Sequence, residues 1–151
     1  MSEHKVKITW QNKGEDFSYS GYERTHTWEF EGGKTMKASA APEYMGKIDF
    51  VNPEEALAAA LSSCHMMTFL FVCSKKKIVV ETYEDDSVAI LGKNSNNKMA
   101  VTELYLRPRI TFRGENKPSN ELIDSLHEKA HEECFIANSV LTKIIIEPVY
   151  I

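Results

Sequence analysis

Three things are scarce in this chain of 151 residues. Cysteine is the first: there are three, an odd number that fits a reducing compartment better than a disulfide scaffold. A disulfide among them is expected to be transient and chemical rather than structural. Positive charge is the second. Lysine and arginine total 18 against 22 aspartates and glutamates, a formal net charge of −4, so the chain carries no basic footprint for nucleic acid. Apolar runs are the third. None follows Met1-Ser2-Glu3-His4, which shows no secretory signal and makes the cytoplasm the expected location. There is no internal repeat, low-complexity segment or linker, and the length suits one domain with a real core. Residues 1–151 are therefore read as a single domain.

The one apolar run lies between Asn52 and Cys73. Asn52 is a good N-cap, Pro53 suits the first helical position, and Glu54 and Glu55 stand where the helix dipole favours negative charge. Ser74 and the basic run Lys75-Lys76-Lys77 suit a C-terminus. From Ala56 to Cys73 the only titratable groups are His65 and the two thiols. A helix apolar all round has to be covered all round, by the rest of the chain or by a second copy. Its length meets the lower limit for a membrane span. Ser62, Ser63, His65 and Thr68 near its centre, and the want of a second such segment, favour a buried helix of a soluble protein with no membrane partner.

Around it the pattern alternates between strand and helix. Val6, Ile8 and Trp10 alternate with polar residues, as in a half-buried strand. Phe17–Tyr22 and Thr25–Phe30 read as a second strand broken near Gly21. Glu31-Gly32-Gly33-Lys34 reads as a hairpin turn and Thr35–Ala40 as a third strand, with a connector from Pro42 to Phe50. After the helix, 77–91 looks extended, with a bend at Glu84-Asp85-Asp86 and a polar loop at 92–97. A strand over Met99–Phe112 follows, weakened at Pro108. Leu122, Ile123, Leu126 and Ala130 repeat at helical spacing up to about Cys134. Val140–Val149 reads as a last strand whose Ile144-Ile145-Ile146 suggests burial on both faces. The expected order is βββ-α-ββ-α-β, an α+β domain with a central buried helix.

Two groups of residues carry chemistry. Cys64 and Cys73 are nine apart, so they point to opposite faces of one helix and cannot pair. Cys134 ends the other helix, and cysteines on two helices can meet only if their Cα atoms come within about 7 Å. A thiol attacks as thiolate, and Cys64 lies too far into its helix for the dipole to help. A cation must come from elsewhere: Arg24, Arg107, Arg109 or Arg113, and Glu54 or Glu55 could anchor it. The other group is His127-Glu128-Lys129-Ala130-His131, a literal H-E-x-x-H with Cys134 on the same face. It reads as a solvated or structural helix face. The alternatives it leaves are a zinc-dependent hydrolase using His127, Glu128 and His131, or a non-enzymatic stress-related binding protein with inert cysteines.

Three segments resemble one family. Asn52-Pro53-Glu54-Glu55-Ala56-Leu57 through Ser62-Ser63-Cys64-His65-Met66, and His131-Glu132-Glu133-Cys134-Phe135-Ile136-Ala137-Asn138-Ser139, are similar to signatures of the OsmC/Ohr family. Tyr22-Glu23-Arg24-Thr25-His26-Thr27-Trp28 resembles one OsmC-like subgroup. The resemblance implies an intertwined homodimer with active sites at the interface. It implies a thiol-dependent peroxidase that reduces organic hydroperoxides, and in some members hydrogen peroxide, in oxidative or osmotic stress defence, using a dithiol reductant. By resemblance Cys64 is the peroxidatic cysteine, Cys134 the resolving one, Arg24 the arginine that stabilises the thiolate and Glu54 its anchor. Neither cofactor nor metal is implied. The chain departs from better-known members after Cys134, where Phe135-Ile136-Ala137-Asn138 replaces a proline and a serine-lysine pair.

Overall fold

The computed structural model of the chain describes residues 1–114 and 117–151. The chain forms two compact units, Met1–Ala56 and Leu57–Ile151. The first holds three antiparallel strands, β1 (Val6–Thr9), β2 (His26–Phe30) and β3 (Thr35–Ala38), in the order β1-β2-β3. Their register aligns Ile8 with Trp28 and Trp28 with Met36, so the large apolar side chains share one face. Gly33 adopts φ 74° in the β2–β3 turn, a conformation glycine enters without steric cost. Phe17–Tyr22 is not a strand. Asp16 accepts the backbone N–H of Ser18 at 2.8 Å, and the Ser18 carbonyl accepts from Gly21 and Tyr22, both at 3.1 Å. These bonds curl the segment into turns, and its aromatic rings pack on each other and on Trp10. The connector contains a single 3-10 turn over Pro42–Tyr44.

Helix α1 (Pro53–Lys75) starts on a reciprocal cap. Asn52 Oδ1 accepts the Glu55 N–H at 2.8 Å, and Glu55 Oε2 accepts the Asn52 N–H at 3.0 Å, a capping box. The second unit has two sheets. β4 (Val80–Asp85) pairs antiparallel with β7 (Pro108–Phe112); β5 (Val88–Lys93) pairs antiparallel with β6 (Met99–Leu106), and β6 pairs parallel with β8 (Lys143–Ile146). Each of the two long strands expected from sequence is thus two strands in different sheets, and the described order is βββ-α-ββββ-α-β. Asp85 sits at the joint: Oδ1 accepts the Arg107 N–H at 2.6 Å, between β6 and β7, and Oδ2 accepts the Ser62 hydroxyl of α1. Gly92, expected in a loop, pairs with Ala100 inside β5. Ile144, Ile145 and Ile146 are half-buried rather than buried on both faces, in a strand at the edge of its sheet. Helix α2 (Asn120–Glu133) is capped by Ser119, whose hydroxyl accepts from Leu122 N at 3.3 Å.

One side of α1 forms the core of the second unit. Phe69, Val72 and Cys73 pack with Ile110, Phe112, Leu126 and Ala130, while Ala58 and Leu61 pack with Leu104 and Leu106. The expectation that the helix is covered all round is met by its own chain on that side alone. Ala59, Ala60, Ser63, Met67 and Phe71 form an exposed stripe at helical spacing, with Met67 60% and Phe71 58% exposed. Length and apolarity alone would let α1 cross a membrane, but its buried side is that of a core helix.

Candidate functional site

Cys64 lies on the flank of α1 between the buried side and the exposed stripe, and it is half-buried. Its own carbonyl accepts the Thr68 hydroxyl at 2.9 Å, a bond inside the helix that leaves the thiol unencumbered. The thiol opens on a groove of about 540 Å³ lined by Cys64, Met67, Thr68, Phe71, Val72, Lys129, Glu133 and Phe135. The walls are mostly apolar. The Lys129 ammonium at the rim is paired with Glu132 at 3.0 Å and Glu133 at 2.9 Å.

Cys134 caps the C-terminus of α2 and is fully buried. The residues after it hold it in place. Ala137 N–H points at its sulfur at 3.5 Å, and Asn138 donates through Nδ2 to the carbonyls of Glu132 at 2.9 Å and Cys134 at 3.1 Å. The Phe135-Ile136-Ala137-Asn138 segment therefore closes the helix end and fixes the cysteine. Burial pushes the Cys134 thiol up, the Ala137 N–H opposes this, and hydrogen bonding with Cys64 raises it further. Cys64 is thus a neighbour of the Cys134 thiol, and both are free cysteines. Cys73 is the opposite case. It is buried in the apolar cluster, and burial lifts its thiol to about 11, which leaves it an inert packing residue.

Arg24 and Glu54 lie in the first unit. Arg24 is 9% exposed. Its guanidinium donates to the Tyr19 carbonyl at 2.6 Å and the Tyr22 carbonyl at 3.0 Å, and it stacks 4.1 Å from the centre of the Tyr22 ring. It lines an open aromatic groove with Trp10, Phe17, Tyr22 and His26. Arg24 and Glu54 do not form an ion pair with each other; the guanidinium is occupied by the two carbonyls. Of the four arginines the sequence nominates, Arg107 pairs with Glu147, Arg109 with Glu84 and Arg113 with Glu81. Among the described residues Arg24 is the one of the four whose charge meets no carboxylate, a costly state for a buried cation that two tyrosine rings and two carbonyls offset only in part.

Of the solvated or structural face expected of the H-E-x-x-H motif, His127 takes the structural form. His127 is 2% exposed and His65 1%. His65 Nε2 and His127 Nδ1 are 3.0 Å apart, and the two rings are within 9° of parallel, edge to edge. Burial lowers His65 to about 4, with the charge of His131 adding to it, and lowers His127 to about 3, with His65 adding to it. Both imidazoles are neutral at neutral pH, so one donates and the other accepts. Glu128 is exposed, and no grouping of three or more His, Cys, Asp or Glu fit to hold a metal ion occurs among the described residues. The zinc arrangement is replaced by a pair the sequence reading missed. The available signal was position: His65 falls one turn from both Leu61 and Phe69, and His127 follows Leu126 on the buried face.

A capped helix carrying a half-buried cysteine and a second helix closed by a buried one sit together on an α+β frame. The OsmC-like protein family model matches residues 46–148, and the chain belongs to that family. An OsmC-like protein of unknown function from Vibrio cholerae is 47% identical, covering 99% of this chain and 100% of that one, with a TM-score of 0.94. An organic hydroperoxide resistance protein from Elizabethkingia anophelis is 20% identical over 99% and 96%, TM-score 0.73. The organic hydroperoxide resistance protein OhrB of Bacillus subtilis is 16% identical over 99% and 98%, TM-score 0.70. The last two likenesses are of fold. No curated protein matches the sequence.

Proposed function

We propose that the protein is a two-cysteine peroxidase acting on organic hydroperoxides. The observation that carries this reading is the unequal exposure of two neighbouring thiols: Cys64 opens on a groove, while Cys134 is buried. The Cys64 thiolate attacks the distal oxygen of ROOH, the O–O bond breaks, and the alkoxide takes a proton to leave as ROH. Cys64 is then a sulfenic acid. Cys134 attacks that sulfur as thiolate, its proton goes to the departing hydroxide, and water leaves as the disulfide forms. A dithiol reductant returns both thiols. Apolar groove walls at Met67, Phe71 and Phe135 favour an organic tail over hydrogen peroxide. Arg24 is proposed as the cation that stabilises the thiolate and the developing alkoxide, with Glu54 as its anchor. Both roles come from the resemblance, and the lack of a carboxylate partner for Arg24 supports the first.

The working form is proposed to be a homodimer, one functional domain per 151-residue chain, with sites at the interface. The uncovered Met67–Phe71 stripe supports it. Free thiols suit the cytoplasm, in stress defence. The test is consumption of cumene hydroperoxide with dithiothreitol as reductant. Cys64→Ser is expected to abolish consumption. With dithiothreitol left out, Cys134→Ser is expected to consume one equivalent and then stop, with Cys64 left as sulfenic acid. Full turnover by Cys64→Ser would sink the reading.

A further inference from the structure

We propose that His65 and His127 are positioning residues that set the register of α1 against α2, and so hold Cys64 and Cys134 opposite each other. This rests on the two-cysteine reading above.

The two helices that carry the cysteines meet through this pair. His65 is the residue after Cys64. His127 is seven residues before Cys134, two turns of helix and therefore on the same side. The nitrogens are 3.0 Å apart. The His127 ring lies edge to edge with His65, nearly coplanar and 5.3 Å between ring centres, and it stacks on Phe69, one turn further along α1, at 4.3 Å. Beside this pair, with His131 near His65, the described contacts joining α1 to α2 in this cluster are apolar: Phe69, Val72 and Cys73 against Leu126 and Ala130. Apolar contacts are nondirectional and tolerate sliding. A slip of α2 by one turn would exchange one aliphatic contact for another, but it would carry Cys134 about 5.4 Å along α1, out of bonding range of Cys64. A single buried hydrogen bond has no such substitute, and fixing register is the best-attested use of buried polar pairs. The sequence spacing converts that register directly into the separation of the sulfurs.

The measurable consequence is the effective concentration of Cys134 toward Cys64, which is read without any peroxide. Protein dithiol and oxidised glutathione exchange to give the protein disulfide and two reduced glutathiones. Acid quenching, alkylation and peptide mapping then give the fraction bridged between Cys64 and Cys134 at each glutathione ratio. Glutamine places its terminal amide where histidine has Nε2, and asparagine where histidine has Nδ1. His65→Gln and His127→Asn thus keep a polar group at the bonded position; His65→Asn and His127→Gln move it away. The first two are expected to lie within threefold of wild type, and the second two to fall tenfold or more. At position 127 the smaller side chain is the one that rescues, an order that packing alone would not produce.

Each position carries its own matched pair, so an unfolded variant at one leaves the comparison intact at the other. Four variants equal within threefold, or ranked by side-chain volume at both positions, would overturn the proposal while leaving the two-cysteine chemistry standing. A wild-type protein that forms no bridge at any glutathione ratio would overturn both.

Discussion

The two helices of this protein solve the same problem differently. α2 is amphipathic: Leu126, His127 and Ala130 are buried, and its outer face carries Glu128, Lys129, Glu132 and Glu133 with ion pairs of its own. Its chain supplies everything it needs. α1 buries Ala58, Leu61, His65, Phe69, Val72 and Cys73 on one side, yet the opposite side holds Met67 and Phe71 in the open. Water tolerates scattered apolar side chains but not a continuous stripe without consequence. The difference shows that α2 is finished by folding, whereas α1 retains an apolar face that association could cover. It also separates three cysteines by fate: one on the flank of α1, one sealed at the end of α2, and one lost to the core.

If the inner sides of both helices are true core, truncation there should cost the most. Phe69→Ala is expected to lower stability by about 3–5 kcal/mol and Leu126→Ala by about 2–5 kcal/mol, read from urea midpoints at constant slope. A loss below about 1 kcal/mol at Phe69 would mean that α1 is not embedded as described. The outer sides should then part company. Met67→Glu puts a charge on the uncovered stripe of α1 and is expected to weaken self-association by roughly 2–4 kcal/mol, the scale of an interface hot spot. Ser125→Glu, on the exposed face of α2, should leave it unchanged. Sedimentation velocity at micromolar protein decides this; a wild type monomeric at all concentrations would remove the stripe's proposed purpose.

Much of this contrast was legible beforehand. The caps of α1, its apolar length and the cysteines at positions 64 and 134 all announce themselves in the sequence. Glu55 was placed by charge, although its main service is the return bond to Asn52. The joints were harder to see. Strand alternation runs on through Arg107, and Pro108 signals only a local weakening, not that the chain leaves one sheet for another there; Asp85, 22 residues away, accepts the Arg107 N–H at that joint. Aromatic content misled at Phe17–Tyr22, where Asp16 and Ser18 capture the backbone first. The histidine pair was invisible for a plainer reason: 62 residues separate His65 from His127, and a buried imidazole looks the same in sequence as an exposed one.

That pair gives a pH test, because it belongs to both helices at once. Both imidazoles titrate in the folded protein well below the unfolded value of about 6.5, near 4 for His65 and 3 for His127. The unfolded state therefore binds more protons between pH 6.5 and the folded values. Their contribution is complete above pH 6.5 and is lost as the pH falls toward 4. Between pH 6.5 and 5 the loss should reach about 2 kcal/mol for each imidazole held neutral. A His65→Leu, His127→Leu double variant should flatten that part of the curve, whatever its absolute stability. An unchanged slope would mean that the pair is not the origin of the acid sensitivity.

The smallest expected difference lies at the helix starts. Asn52→Ala removes one half of a reciprocal box and leaves Glu55 reaching for a backbone N–H alone; Ser119→Ala removes a single, longer bond to Leu122 N. Both losses should fall in the usual range for an N-cap, about 0.5–2 kcal/mol, with Asn52 at the upper end and Ser119 at the lower. The order is informative because the two helices end on different supports. α2 is also held at its far end by Asn138 against the carbonyls of Glu132 and Cys134, so fraying at its start need not reach the cysteine. In α1 the cysteine lies eleven residues from the first helical position, with the Ser62–Asp85 bond between them, so amide exchange at Ala56–Ala60 should quicken in Asn52→Ala while exchange around Cys64 stays protected by that bond and by the Leu61 and Phe69 packing. Fast exchange spreading as far as Cys64 would show that the cap, rather than the core, holds the reactive turn in place.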